Sequence, residues 1–319
     1  MNVPLDATAL ASAQEEPFVH PALFYRGSDE YLAGCLSFVR EGLAAGEPVA
    51  VAVPGPNLAL LRAELGGDAE RVRMLDMTRA GRNPGRIIPG VLRAFADAHP
   101  DGHVRIIGEP IWAGRSEVEY PACAQHEALI NLAFTGRDVT ILCPYDVGAL
   151  SPEVLADAEV THPVVVDGDG RWRDSPAYDP DRVINGYNRP LPPPPDHAAQ
   201  ITGDVNTLGA ARRWARAHAD AAGLDEQRIV DVELVVTELL ANSIRHGGGA
   251  ATLRAWTDGG ALVCEVTDRG HLSDPLAGRR PAPSGQAGGR GLLLVHHLSD
   301  LVRVHTTPDA TTIRVYLHP

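Results

Sequence analysis

The 319 residues, 44% hydrophobic and 22% charged, read as a soluble globular chain of two domains, each long enough to bury a core. The net charge is −13, with 27 Asp/Glu against 16 Arg in residues 1–190 and 13 against 12 in residues 197–319, so neither half has the basic excess of a nucleic-acid surface. All 28 basic residues are arginine, which excludes a phosphate-loop lysine and a Schiff-base lysine, and no run of about 18 apolar residues offers a membrane-spanning helix.

Residues 18–166 alternate short apolar runs with amphipathic stretches. The runs predict strands over 48–53, 72–75, 103–107, 139–142 and 164–166, with helices near 29–44, 57–65, 85–98, 121–134 and 152–158. Strand–helix alternation implies a mainly parallel sheet covered on both faces, an α/β domain. Ligands of such sheets sit outside the carboxyl ends of the strands. Asp76, Glu109, Cys143, Tyr145 and Asp146 follow predicted strands, so they are the candidate pocket for a small-molecule signal. Cys143 is the one thiol to watch; Cys35, Cys123 and Cys264 are scattered and form no CxxC pair. With no basic and apolar leader at residues 1–17, a reducing cytoplasm is the expected compartment.

Residues 167–197 carry the run Pro192–Pro195, which cannot be helical and reads as a semi-rigid linker. Beyond it, helices are expected over 205–222, capped by Asp204, and over 226–245. Strands 251–257 and 262–267 follow, joined through the turn at Asp258-Gly259-Gly260. A Gly/Pro-rich stretch, a short helix over 291–299 and strands 302–306 and 312–317 complete an α+β sandwich spanning 198–319.

Three signals in that sandwich carry chemistry. Glu238 and Asn242 are four apart, on one face of a helix whose core face is expected from Leu234, Val235, Leu239 and Ile244. A carboxylate can take a hydroxyl proton, and an amide oxygen can ligate Mg²⁺. Asp268-Arg269-Gly270 ends a strand, where the carboxylate can accept from an adenine amino group and the glycine admits a base. Gly288-Gly289-Arg290-Gly291-Leu292 runs into a helix, whose exposed N–H groups attract phosphate and whose Arg290 adds a charged fork.

In this order and on these elements, the signals resemble the GHKL (Bergerat-fold) ATP-binding domains over about 120 residues. Glu238, Asn242 and Arg245-His246-Gly247 match the N box, Asp268 and Gly270 the first glycine box, and Gly289 and Gly291 the second. The N box ending in RHG and the terminal ATTIRVYL resemble most the bacterial anti-sigma-factor serine kinases. The resemblance implies that Asn242 holds Mg²⁺ on ATP, Glu238 assists the attacking hydroxyl, Asp268 binds adenine and 271–289 is a lid. It also implies a sigma factor and an antagonist protein as partners, and a homodimer in many relatives. Two departures stand out: His271-Leu272 replaces the second glycine of D-x-G-x-G, and Ala310 stands where a glycine often precedes the closing threonines.

The first part resembles the MEDS sensory domains, named after methanogen and methylotroph regulators. The matching stretches are His20–Tyr25, Ile107–Glu109, His126–Asn131, Cys143–Asp146 and His162-Pro163. This implies a RecA-like parallel sheet without the phosphate loop, and a sensing role.

Three functions therefore compete: a sensor-controlled serine kinase of the anti-sigma type, a histidine kinase, and an ATP-binding scaffold without phosphotransfer. His126-Glu127 superficially resembles a phosphoacceptor box, but Asn131 and Leu132 follow where proline is usual. No metal site is evident among the histidines: His296 and His297 take adjacent helix faces, and His99 and His103 flank a loop.

Overall fold

The structure, a computed structural model, describes residues 17–281 and 289–319. These form two units, which divide between Tyr187 and Asn188.

In the first unit the strands are β1 (Phe18–Val19), β2 (Pro21–Tyr25), β3 (Val49–Val53), β4 (Arg73–Asp76), β5 (Val104–Gly108), β6 (Val139–Asp146), β7 (Val164–Val166) and β8 (Trp172–Asp174). Their order is β4-β3-β5-β6-β2-β7-β8, with β1 also on β6; every pair is parallel except β7 with β8. The helices are α1 (Gly27–Ala45), α2 (Gly55–Leu65), α3 (Met77–Ala80), α4 (Arg93–Asp97), α5 (Tyr120–Ala133), α6 (Pro152–Thr161) and α7 (Pro180–Gly186). Val49, Val51 and Val53 alternate onto the core under α1 and α2, while Ala50 and Ala52 are equally buried on the other face. Such two-sided burial is what makes parallel strands read as continuous apolar runs.

Three expectations change here. The central strand β2 was not predicted, because Pro21 masks it; proline is tolerated there as the first strand residue. The helix expected over 85–98 is broken into a 3₁₀ turn at Pro84–Arg86, a wide turn over Ile88–Leu92 and α4. Pro89 has no N–H to continue an α-helical ladder. Finally, β8 and α7 belong to the first unit, so 167–187 is folded rather than a linker.

The second unit contains β9 (Ala199–Asp204), α8 (Leu208–Ala221), α9 (Glu226–His246), β10 (Ala250–Asp258), β11 (Ala261–Asp268), α10 (Gly291–Leu298), β12 (Leu301–Thr307) and β13 (Ala310–Leu317). The sheet runs β12-β13-β11-β10-β9 and is antiparallel throughout. β9 was not predicted; it sits at an edge, and Asp204 closes a turn onto Asn206 and Thr207 rather than capping α8. Gly259 and Gly260 both have positive φ (55° and 82°), as a two-residue hairpin turn with right-handed twist requires.

One face of this sheet meets the helices. Leu253, Cys264, Val266 and Val315 pack against Val232, Val235, Val236, Leu239 and Leu240 of α9. Leu234 is instead 42% exposed, being rotated one residue out of that stripe, and Ile244 is half-buried. Asp225 caps α9, its Oδ1 accepting from the Arg228 N–H at 2.8 Å. Asp225→Ala should cost about 1 kcal/mol in denaturant unfolding; a variant as stable as the parent would show that the cap contributes nothing.

On the opposite face, Arg314 donates to Glu265 Oε2 from Nε (2.9 Å) and Nη2 (2.5 Å) and to the Pro192 carbonyl (2.6 Å), and it stacks over Trp256. Asn188 exchanges two hydrogen bonds with the backbone of Thr306. The proline run is thus strapped to the second unit instead of standing free as a spacer.

Candidate functional site

The α9 helix brings Glu238 and Asn242 to one half-exposed surface, one turn apart. Gly291, the first residue of α10, lies directly against them: a Cβ there would fall 2.4 Å from Glu238 Oε2 and 3.5 Å from Asn242 Nδ2. Only glycine lets the α10 N-terminus come this close to that carboxylate. Arg290 occupies the position before α10, exposed and making no side-chain capping hydrogen bond, and Gly289 precedes it with φ 76°.

Asp268 is placed by a second set of close approaches. A Cβ on Gly247 would fall 2.3 Å from its carboxyl carbon, and one on Gly270 would fall 2.7 Å from the His246 carbonyl oxygen. The Gly270 N–H donates to Asp268 Oδ1 (2.8 Å) and the Ser243 hydroxyl to Oδ2 (2.5 Å), while Thr311 Oγ1 donates to the Gly270 carbonyl (2.9 Å). The His246 ring is exposed, so the residue contributes backbone, and Leu292 packs over Gly278. Residues 282–288, which include Gly288 and part of the expected lid, lie outside the described residues. The departure at Leu272 needs no left-handed backbone: its φ is not positive, and its N–H donates to Thr306 Oγ1 at 3.0 Å. Ala310 likewise closes a tight turn with Thr307 at ordinary φ.

The five rim candidates of the first unit do not form one pocket. Glu109 is buried, receives both oxygens' hydrogen bonds from Asn57 Nδ2 (3.0 Å each) and one from the Tyr31 hydroxyl (3.3 Å). Burial pushes its carboxyl up to about 8, against the pull of those donors, and the Asp146 charge adds to the rise. Asp146 therefore joins Glu109 electrostatically. Cys143 and Tyr145 take the other face of β6, because successive strand residues point to opposite sides. Asp76 sits on the outermost strand β4 and caps α3 through Thr78. A surface depression of about 460 Å³ at the ends of β2 and β7, lined by Phe24, Arg26, Glu30 and Asp167 among others, includes none of the five.

Two family models match the chain. Residues 19–163 match MEDS, the methanogen/methylotroph, DcmR sensory domain, and residues 201–317 match the histidine kinase-like ATPase domain. The chain carries a MEDS domain followed by a histidine kinase-like ATPase domain. Among solved structures it is similar to the RsbU and RsbW domains of a Mycobacterium tuberculosis protein, at 21% identity over 39% of this chain and 33% of that one, with a TM-score of 0.29. It is also similar to the Acinetobacter baumannii histidine kinase AdeS, at 12% identity over 63% and 96% of the two chains, with a TM-score of 0.23. The chain thus spans a third of the first structure's length. No curated protein matches it. Among the described residues, no helix is long and apolar enough to cross a membrane.

Sequence reasoning missed several residues of these domains. In the ATPase domain, Ser243 and Thr311 brace Asp268 and Gly270; a serine on the core face of α9, next to Asn242, was the available signal. If Asp268 reads adenine, Ser243→Ala should weaken ATP several-fold more than it weakens the triphosphate alone, as isothermal titration would show. Equal losses for both ligands would remove Ser243 from base recognition. In the MEDS domain, the search for a metal site among the histidines passed over His20 and His162. His20 and His162, ring centroids 4.0 Å apart, meet Glu127 and Cys143 in the interior. Burial and then His162 lower the His20 pKa to about 4, and burial followed by Glu127 raises the Cys143 thiol well above its usual value. The signal lay in two His-Pro pairs, His20-Pro21 and His162-Pro163, each opening one of the adjacent strands β2 and β7.

Proposed function

We propose that the chain is a cytoplasmic bacterial signalling regulator whose MEDS domain controls a Mg·ATP-binding protein-serine kinase domain of the anti-sigma-factor type. The observation that carries this reading is the convergence of Glu238, Asn242 and Gly291 on one surface. Asn242 would hold Mg²⁺ through its amide oxygen, and the α10 N-terminus with Arg290 would offer N–H groups and a guanidinium to phosphates. Asp268, already fixed by Ser243 and Gly270, retains acceptor capacity for an adenine amino group. Glu238 would take the proton of an attacking serine hydroxyl as the terminal phosphoryl passes from ATP to that oxygen and ADP departs. The missing Cβ atoms at Gly247 and Gly291 let Asp268 close on the end of α9 and the α10 N-terminus close on Glu238, so base-reading, metal-holding and phosphate-binding groups are brought together as the nucleotide would require. A sigma factor and its antagonist are the partners this reading implies, and the ATPase domain's relatives suggest a homodimer.

Burial of His126 disfavours the histidine-kinase reading that depends on it. The ring projects from α5 into the domain interior at 1% exposure, away from any phosphoryl donor in solvent. Full-length protein incubated with terminally labelled ATP and a panel of antagonist proteins tests the proposal. Acid-stable phosphoserine on one of them is expected. Acid-labile phosphate on the chain itself would point to histidine chemistry, and absence of transfer to any would leave an ATP-binding scaffold.

A further inference from the structure

We propose that His20, Glu127, Cys143 and His162 form a closed four-ligand site for one zinc ion inside the MEDS domain. The four come from separate elements: His20 precedes β2, Glu127 lies on α5, Cys143 on β6, and His162 follows α6. All four are at most 1% exposed. Glu127 Oε2 is 3.3 Å from His20 Nε2 and 3.3 Å from His162 Nε2, and Cys143 Sγ is 3.4 Å from His20 Nε2. The four ligand atoms all lie within 4.8 Å of one another.

The hydrogen bonds behind the ligands fix what those atoms present to each other. The Asn131 amide nitrogen donates to the Thr161 carbonyl at 2.8 Å and lies within reach of the Ala128 carbonyl at 3.2 Å, so its Oδ1 must be the atom facing His20 Nδ1 at 3.2 Å. His20 Nδ1 therefore carries the proton. His162 Nδ1 faces the Ala158 carbonyl at 2.8 Å, which can only accept, so it too is protonated. In its neutral form each imidazole then aims a bare Nε2 lone pair at a carboxylate oxygen. Neither Glu127 oxygen, nor His162 Nε2, meets a well-aligned donor. Lone pairs converging in a dry interior repel one another, and an unpaired buried carboxylate is costly. A cation at their centre turns the repulsion into ligation.

The metrics and the donor set select the cation. A tetrahedron with Zn–N and Zn–O bonds near 2.0–2.1 Å and a Zn–S bond near 2.3 Å has edges of about 3.3–3.6 Å, which the three measured distances match. Two imidazoles, a carboxylate and a thiolate suit zinc and not the all-oxygen preference of Mg²⁺. On binding, Cys143 would release its proton, and thiolate plus carboxylate would neutralise the dication. Asn131 and the Ala158 carbonyl supply the outer contacts that hold metal-bound imidazoles in orientation. With four protein ligands and no exposure, the site fastens α5 and the α6–β7 junction to the centre of the sheet.

Full-length protein, expressed with zinc in the medium and desalted, should contain about one zinc per chain by atomic spectrometry. Protein reloaded with Co²⁺ should show a thiolate-to-metal charge-transfer band in the near ultraviolet. That band should vanish in Cys143→Ser and persist in Cys264→Ser, whose thiol lies in the other domain. A zinc-free parent whose melting temperature zinc leaves unmoved would overturn the site, as would bound cobalt without thiolate absorption or a band unaffected by Cys143→Ser. The cobalt spectrum of the parent decides the matter even if the variant fails to fold.

Discussion

Asn242→Ala should abolish the stabilisation of the full chain by Mg·ATP while leaving the ligand-free protein almost unchanged. Asn242 is half-exposed on α9 and its side chain makes no hydrogen bond among the described residues, so its truncation should cost the ligand-free protein little; such surface changes usually stay within about 0.5 kcal/mol. With nucleotide at about a hundred times its dissociation constant, the parent should gain roughly 2.7 kcal/mol. Each kcal/mol is worth on the order of 2–8 °C for units of this size, so the rise is several degrees. Thermal unfolding of both proteins with Mg·ATP, with ATP and chelator, and with Mg²⁺ alone separates the contributions. An equal, Mg-dependent rise in parent and variant would remove Asn242 from the site.

The second large effect concerns pH and the MEDS domain. Glu109 keeps its proton in the folded state up to about pH 8, whereas the unfolded chain loses it near 4.5. Between those values the folded protein holds one more proton, so stability falls as pH rises through that window and levels off above it. A shift of this size corresponds to about 4–5 kcal/mol at full extent. Glu109→Gln mimics the protonated carboxyl at every pH and should remove this slope, so that the variant gains on the parent from pH 5.5 to 8.5. Urea midpoints at the two ends of the range measure the gain; parallel slopes for the two proteins would mean that Glu109 ionises normally.

How far the sequence could be read differed between the two domains for a physical reason. The ATPase signals are local: Glu238 and Asn242 share a helix, Asp268 and Gly270 share a turn, and Gly291 opens a helix. Helical spacing and glycine placement were enough to nominate them, and the structure puts Gly291 beside the first pair and Gly247 and Gly270 around Asp268. The bracing by Ser243 depends on a contact 25 residues away, which no local pattern encodes. The MEDS site residues are assembled by strand order instead. Because β2 inserts between β6 and β7, residues near the start of the domain meet others from its far end, and that crossover cannot be read from periodicity. Strand alternation could have separated Cys143 and Tyr145 from Asp146, since odd and even positions of β6 face opposite ways.

The strap of Asn188 and Pro192 across the second sheet bears on how the chain acquires its structure as it is synthesised. Every element of the first unit has been made once Tyr187 has emerged, so that unit can complete its core early. The residues that come next must wait. Asn188 pairs with Thr306, 118 residues further on, and Pro192 with Arg314, on the final two strands of the sheet. Contacts of that separation form late, because a long loop must close before they return any energy. The MEDS unit can therefore be complete while the histidine kinase-like ATPase unit still waits for its first residues, which are the last to find their places.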